Sequence, residues 1–285
     1  MKILIIGWAH HKNITGLKLL LHNINYEYKV GSIDEINSFD IIYSPDNPIN
    51  TSLYPSKKFI FGPHFSIFPN NKLLGINNIY NNSIYIQPSI WAANSWRNIH
   101  GIENIIPIKV FSFPVEVGKF CPNQHSQKNE VFIYFKRRNP QELEYVKHFL
   151  NNKNISYKIF DYEKKYNEED YLNCLQNAKY GIIIDAHESQ GFAIQEALSC
   201  NIPLLVWNSC VMSQEYGSNY PNIPCSSISY WDENCGEYFY KAEEFETSYN
   251  KFINKLETYN PRAYIMENLS PQKCGEQFIE LIASF

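Results

Sequence analysis

The chain has 285 residues, a net charge of −4 and 44% hydrophobic residues. Its length suits two α/β domains, and the lack of a basic excess argues against a nucleic-acid partner. Seven cysteines, with no C-x-x-C pair, argue against a disulfide framework or a zinc cluster and read as reduced thiols.

The opening MKILIIG soon gives way to Trp-Ala-His-His-Lys, too brief for a signal-peptide core. No later run approaches the roughly 20 apolar residues of a membrane span, so a soluble, cytoplasmic protein is expected. Residues 2–6 are apolar without alternation, the pattern of a strand buried on both faces of a parallel sheet. Residues 16–21 read as a helix. Further strands are expected at 26–30, 39–43, 58–61 and 105–110, with another near 83–86. Between 107 and 127 the texture changes, with Pro114, Pro122, Asn123 and a polar run. A boundary there gives a first domain at 1–122 and a second at 123–285.

The second half alternates again: strand 131–135, helix 142–150, strand 156–160, helix 168–178, strand 180–184, helix 191–200, strand 203–207. Such alternation implies βαβ units, and hence two Rossmann-like α/β domains. Ser270 can cap, and Pro271 can open, a last helix reaching Ala283 that is free to pack back on the first domain.

The stretch HESQGFAIQEALSCNIPLL, 187–205, carries Glu188 and Glu196 with seven residues between them. Spacing alone says little, because Glu27 and Glu35 share it. Context says more. Glu188 follows a buried strand, at the carboxyl edge where parallel sheets bind ligands. Gly191 lets backbone approach closely, and the next helix aims its unpaired N–H groups at the same spot. Glu196 then falls on the ligand-facing side of that helix. Two carboxylates so placed suit the vicinal diols of a sugar and a ribose, with phosphates between them. The plain alternative is an exposed loop glutamate and a solvated helix glutamate.

FIYFKRRNP, 132–140, places Lys136, Arg137 and Arg138 where another strand ends. Alternation puts Lys136 and Arg138 on one side and leaves Arg137 to solvent, although a surface basic cluster would look the same. FIFGPHFS, 59–66, brings His64 to the carboxyl end of a strand. SYWDENCGEYF, 229–239, reads either as a carbohydrate-binding surface or as a packed capping loop. Tyr162 and Tyr166 are candidates to stack on a nucleobase.

HESQGFAIQEALSCNIPLL resembles the E-x7-E signature of retaining glycosyltransferases of glycosyltransferase family 4, through Glu188, Ser189, Gly191, Glu196, Ala197 and Pro203. It departs at Gln190, usually aromatic, and at Asn201, usually Gly; Asn tolerates the left-handed conformation, so that change is mild. FPVEVGKFCP, 113–122, is similar to the segment before that family's domain linker, and NPRAYIMENLSPQKCGEQFIELI, 260–282, to its helical end. The first hundred residues match in outline only.

The resemblance implies the GT-B fold, two Rossmann-like domains facing a cleft, with the donor in the C-terminal one. Glu188 would hold hydroxyls of the transferred sugar and Glu196 the ribose. Backbone N–H groups at Gln190, Gly191 and Phe192 would approach the sugar and diphosphate, and Lys136 and Arg138 would meet the diphosphate charge. The family's later Lys is replaced here by Gln141 and Glu142. His64 matches a histidine that touches the donor sugar. Gly16, at a helix start, corresponds to a glycine near phosphate, although the family's adjacent Gly-Gly is missing.

The implied reaction is retaining transfer of a hexosyl-type sugar from a UDP-, GDP- or ADP-sugar to a hydroxyl of a glycan or other small acceptor. Same-face internal return would let the departing phosphate take the acceptor proton. No cofactor is expected, and the absence of Asp-x-Asp agrees with a metal-independent site. Two alternatives differ in outcome. A nucleotide-sugar epimerase on the same fold would turn over the donor without forming a glycoside. A catalytically silent carbohydrate- or nucleotide-binding module would bind without turnover.

Overall fold

Two parallel sheets organise the chain in the computed structural model, which describes residues 1–65, 82–123 and 128–284. By contact the chain divides into one unit of Met1–Glu116 with Leu269–Phe285 and another of Val117–Asn268.

In the first unit β1 (Lys2–Ile6), α1 (His11–Asn23), β2 (Glu27–Gly31), β3 (Ile41–Ser44), β4 (Lys58–Phe61), β5 (Ser83–Gln87), α2 (Ile90–Arg97), α3 (Ile102–Ile105) and β6 (Ile108–Val110) follow one another. The strands pair in the order β2-β1-β3-β4-β5-β6, all parallel. Continuous apolar runs make these strands because both faces are covered; Ile3, Leu4, Ile5, Phe59, Ile60 and Phe61 are fully buried. Trp96 of α2 packs on Tyr85 of β5, with ring centroids 4.3 Å apart. Residues 105–110, expected as one strand, divide between α3 and β6.

The second unit runs β7 (Glu130–Lys136), α4 (Pro140–Asn152), β8 (Lys158–Asp161), α5 (Glu168–Asn177), β9 (Ala178–Asp185), α6 (Phe192–Ser199), β10 (Leu204–Trp207), β11 (Gly236–Phe239), α7 (Phe245–Asn254) and α8 (Pro261–Asn268). Its sheet order is β11-β10-β9-β7-β8, again all parallel. Gly181 makes room in the middle of β9, since a Cβ there would stand 2.3 Å from Phe132 Cζ.

The closing helix, α9 (Pro271–Ala283), belongs to the first unit. Gly275 brings it against α1: an added Cβ would lie 2.6 Å from Ile24 Cγ2. Phe278 meets Phe111 at 5.5 Å, and Lys58 Nζ donates to the Ile282 carbonyl at 2.8 Å. The chain changes unit at 116/117, six residues before the composition break at 122/123. Arg262 explains the difference. Its guanidinium donates to the carbonyls of Val117, Phe120 and Ser199, tying 117–120 to the end of α6. No helix among the described residues is long and apolar enough to cross a membrane.

Candidate functional site

β7 and β9 end side by side, with Lys136 level with Asp185. Lys136, the last residue of β7, forms an ion pair with Glu188 just beyond β9, and both side chains are largely buried. The Lys136 ammonium also sits 4.7 Å from the centre of the Tyr162 ring. Burial works against the Lys136 charge, but Glu188 and Asp185 outweigh it and hold the ammonium above its ordinary pKa. Burial likewise opposes the Glu188 charge, and Lys136 overrides it to hold that carboxyl below its usual range. Asp185, fully buried, goes the other way. Burial first, then the Glu188 charge, push it well above the carboxylate range. The two adjacent carboxyls are therefore shifted in opposite directions, Glu188 toward its charged form and Asp185 toward its neutral one.

The loop after β9 is anchored by three serines, of which Ser226 and Ser227 lie outside every stretch singled out from the sequence. Glu188 N donates to Ser226 O at 3.0 Å, Ser229 Oγ to Glu188 O at 2.7 Å, and Ser227 Oγ to Asp185 O at 2.8 Å. Gly191, with φ +83°, is the residue from which α6 starts, and Gln195 N donates back to its carbonyl. A left-handed conformation there favours glycine. Gln190 is buried, and its side-chain amide donates to Gln195 Oε1 at 3.2 Å. Phe192 is the first residue of α6. Glu196, expected on the ligand-facing side, is 3% exposed, and its charge bears on the hydroxyls of Tyr166 and Tyr171. The solvated-glutamate alternative fails for it.

The basic triplet needs a correction. Arg138 is 2% exposed and works inside the fold: it donates to the carbonyls of Asp185 and Trp207 and pairs with Glu142 at 2.7 Å. It does not share the outward side with Lys136. Arg137, expected to be merely solvated, takes a left-handed φ of +51° and lies over the Tyr162 ring at 5.6 Å. It pairs with Glu163 at 3.1 Å and Glu215 at 3.4 Å. Glu215 reaches His187 Nε2 at 2.8 Å, so Arg137 joins the cluster through it. Arg137, Asp161, Glu163, Glu215 and Tyr216 border a cavity of about 440 Å³. Tyr162 is exposed under the two cations, whereas Tyr166 packs edge-on against Tyr134 and Phe160. In SYWDENCGEYF the last four residues are β11, which settles that part as an edge strand. Among the described residues no group of three or more His, Cys, Asp or Glu side chains is placed to hold a metal ion.

His64 and Gly16 belong to the first unit. Gly16 is not at a helix start: α1 begins at His11, and Gly16 packs against the chain at 113–114, where a Cβ would meet Pro114 O at 3.0 Å. Its place in the helix is explained by packing. His64, at the carboxyl edge beyond β4, accepts the His10 amide on Nε2 at 3.2 Å. The last residue of FIFGPHFS, Ser66, lies outside the described residues.

Burial, and after it His10, lower the His64 pKa from 6.5 to about 4. A depressed folded pKa means that His64 contributes its full stability above 6.5 and loses it as the pH falls toward 4. At about 1.4 kcal/mol per pKa unit, the loss approaches about 3 kcal/mol. His64→Gln keeps an acceptor for the His10 amide but cannot titrate. It should therefore lose less melting temperature than wild type between about pH 7 and pH 4.5, followed by circular dichroism. Equal acid sensitivity in the two proteins would rule this out.

No protein-family model and no curated sequence matches the chain. Solved structures do. Sucrose-phosphate synthase from Thermosynechococcus elongatus superimposes with a TM-score of 0.63 at 9% identity, covering 100% of this chain and 98% of that one. A lipopolysaccharide outer core galactosyltransferase gives 0.60 at 13% identity, covering 100% and 99%. The catalytic domain of starch synthase IV from Arabidopsis thaliana, bound to ADP and acarbose, gives 0.55 at 11% identity, covering 97% and 78%. With its two parallel α/β units, the chain has the GT-B fold of these glycosyltransferases.

Proposed function

We propose that this protein is a retaining, metal-independent glycosyltransferase that moves a sugar from a nucleotide diphosphate to an acceptor hydroxyl. The observation that carries the reading is the buried Lys136–Glu188 ion pair beside the glycine that opens α6. The cation meets the negative charge that develops on a departing diphosphate, in a setting too dry for water to do so. Its pairing keeps Glu188 ionised, as an acceptor for sugar hydroxyls. Gly191 and the amino end of α6 offer backbone N–H groups to the same anion. Glu196, on that helix, is assigned to the ribose diol. The E-x7-E resemblance supports retention, and the likeness to a starch synthase bound to ADP supports a nucleotide donor.

In the reaction the bond between the anomeric carbon and the diphosphate oxygen breaks, and its electron pair goes to that oxygen. The acceptor oxygen bonds to the same face, and its proton passes to the departing phosphate. Glu188, tied to Lys136, serves positioning and charge stabilisation rather than covalent attack.

Thermal stabilisation across UDP-, GDP- and ADP-sugars identifies the donor, because a ligand bound only by the folded state raises its melting point. Glu196→Ala should then weaken that donor by about 10- to 100-fold in calorimetry, the worth of a charged hydrogen-bonding group. Unchanged affinity would remove Glu196 from the donor site. Donor turnover without glycoside would instead mark an epimerase.

A further inference from the structure

We infer that Trp8 is a stacking platform for a pyranose ring, so that the acceptor offered to the first unit is a carbohydrate. This deepens the transferase reading and rests on it for the word acceptor; the platform itself rests on geometry. Trp8 is 62% exposed, while the other four tryptophans are buried or half-buried. Large aromatic side chains are normally covered, and one left bare at the carboxyl edge of a parallel sheet is where ligands bind.

The backbone that carries the ring is fixed. Trp8 N donates to Asp46 Oδ1 at 3.0 Å, and Asn47 Nδ2 donates to the same oxygen at 2.8 Å. Gly7, with φ +89°, permits this contact, since any Cβ there would stand 2.2 Å from Asp46 Oδ1. His64 meets the indole edge-on with centroids 5.2 Å apart. His64 is in turn fixed through Nε2 by the His10 amide. Its low pKa keeps it neutral at pH 7, so the proton resides on Nδ1 as a donor. A side chain ordered in advance costs little further entropy on binding.

The surroundings select the ligand. A protein-docking hot spot sits in a well-packed pocket that excludes water. Here the exposed indole meets the His64 ring, which the His10 amide fixes, and its own backbone amide is held by Asp46, which also accepts from Asn47, so an aromatic face stands close to hydrogen-bonding groups. A pyranose has the matching duality, an apolar face of C–H bonds and a rim of hydroxyls. Indole offers a large flat apolar surface for the first, and the polar groups meet the second.

The test uses the full chain labelled with 5-fluorotryptophan, in which the Trp8 resonance is the one lost in Trp8→Phe. Methyl α-glucopyranoside, methyl α-galactopyranoside and maltose are titrated to about 50 mM, a range suited to single-ring contacts. At least one should move the Trp8 signal saturably and leave those of Trp96 and Trp207 in place. With the donor found by thermal stabilisation, Trp8→Ala should raise the KM for a sugar acceptor about tenfold or more and leave donor affinity within about twofold. Trp8→Phe should recover part of the loss. A Trp8 signal that no sugar moves, in a protein that a nucleotide sugar still stabilises, overturns this inference and spares the transferase reading. A saturable Trp8 shift in a protein that no nucleotide sugar stabilises does the reverse.

Discussion

Lys136→Met should destabilise the second unit by about 3 kcal/mol at neutral pH and by much less near pH 5. The size follows from the cheapest way to remove an unpaired buried charge. Without the ammonium Glu188 must protonate, and doing so at pH 7 from an ordinary 4.5 costs about 2.5 units at about 1.4 kcal/mol each. The pH dependence follows from the sign. In the wild type Glu188 has a lowered folded pKa, so it contributes stability above 4.5 and loses it as the pH falls. In Lys136→Met burial, the largest influence and one that raises that pKa, is opposed only by the Asp185 hydrogen bond and the His187 charge, so stability is greatest below 4.5 and declines as the pH rises. The gap between the proteins must widen with pH. Asp185, whose pKa is raised by burial and the Glu188 charge, favours its neutral form in both proteins and so contributes little to the gap. Urea unfolding at about pH 5 and pH 7.5 measures both gaps, and a pH-independent difference would show that the pair is not held by charge. Combining Lys136→Met with Glu188→Gln should recover most of the loss, because a neutral pair leaves no charge in the interior.

The strands were legible where burial on both faces leaves an unbroken apolar run. Residues 2–6 and 58–61 are β1 and β4 to the residue, and the runs at 131–135 and 180–184 lie within β7 and β9. The last helix was equally clear, since Ser270 caps it through Lys273 N and Pro271 opens it. The losses have physical causes. β11 is a four-residue edge strand whose Tyr238 is exposed, so it shows neither an apolar run nor a long alternation. α1 starts five residues before its apolar stripe, in the polar turn HKNIT, with no side-chain cap to announce it. Gly16 therefore read as a start, when it is a close-packing position.

Within the site, sequence position brought Lys136 and Glu188 to the same sheet edge. What pairs them is register. Lys136 lies level with Asp185, and that neighbouring follows from pairing between strands some 50 residues apart. Alternation then misassigned the arginines, because it assumes an extended chain and the strand ends at Lys136. Arg137 turns left-handed, which sends Arg138 under the sheet edge toward the carbonyls of Asp185 and Trp207. Glu215 and His187 met through a long irregular connection with no period to read. Asp185 did leave a signal: a carboxylate closing an apolar run has either a partner or a raised pKa.

Glu188→Ala should leave the fold closer to intact than Lys136→Met while lowering kcat by about 10²- to 10³-fold, the range for losing a preorganised electrostatic group. The difference in stability comes from Asp185. Burial and the Glu188 charge raise its pKa, against the pull of Lys136. Removing Glu188 deletes that repulsion and leaves the pull, so Asp185 can ionise and become the counter-ion. Turnover has no such replacement, because Asp185 is fully buried and cannot take the place of a carboxylate at the reacting sugar. As the anomeric carbon becomes positive, the stabilisation supplied by a fixed negative charge grows, so its loss falls on kcat more than on donor binding. Glu188→Gln separates charge from shape. It should fall nearly as far as Glu188→Ala if the charge matters, and keep most of the rate if only hydroxyl contacts matter. Initial rates with the stabilising nucleotide sugar, beside calorimetric donor affinities that stay within a few-fold, decide between these cases. A kcat untouched by Glu188→Ala would take the residue out of the reaction, and with it the main support for reading this sheet edge as the place of transfer.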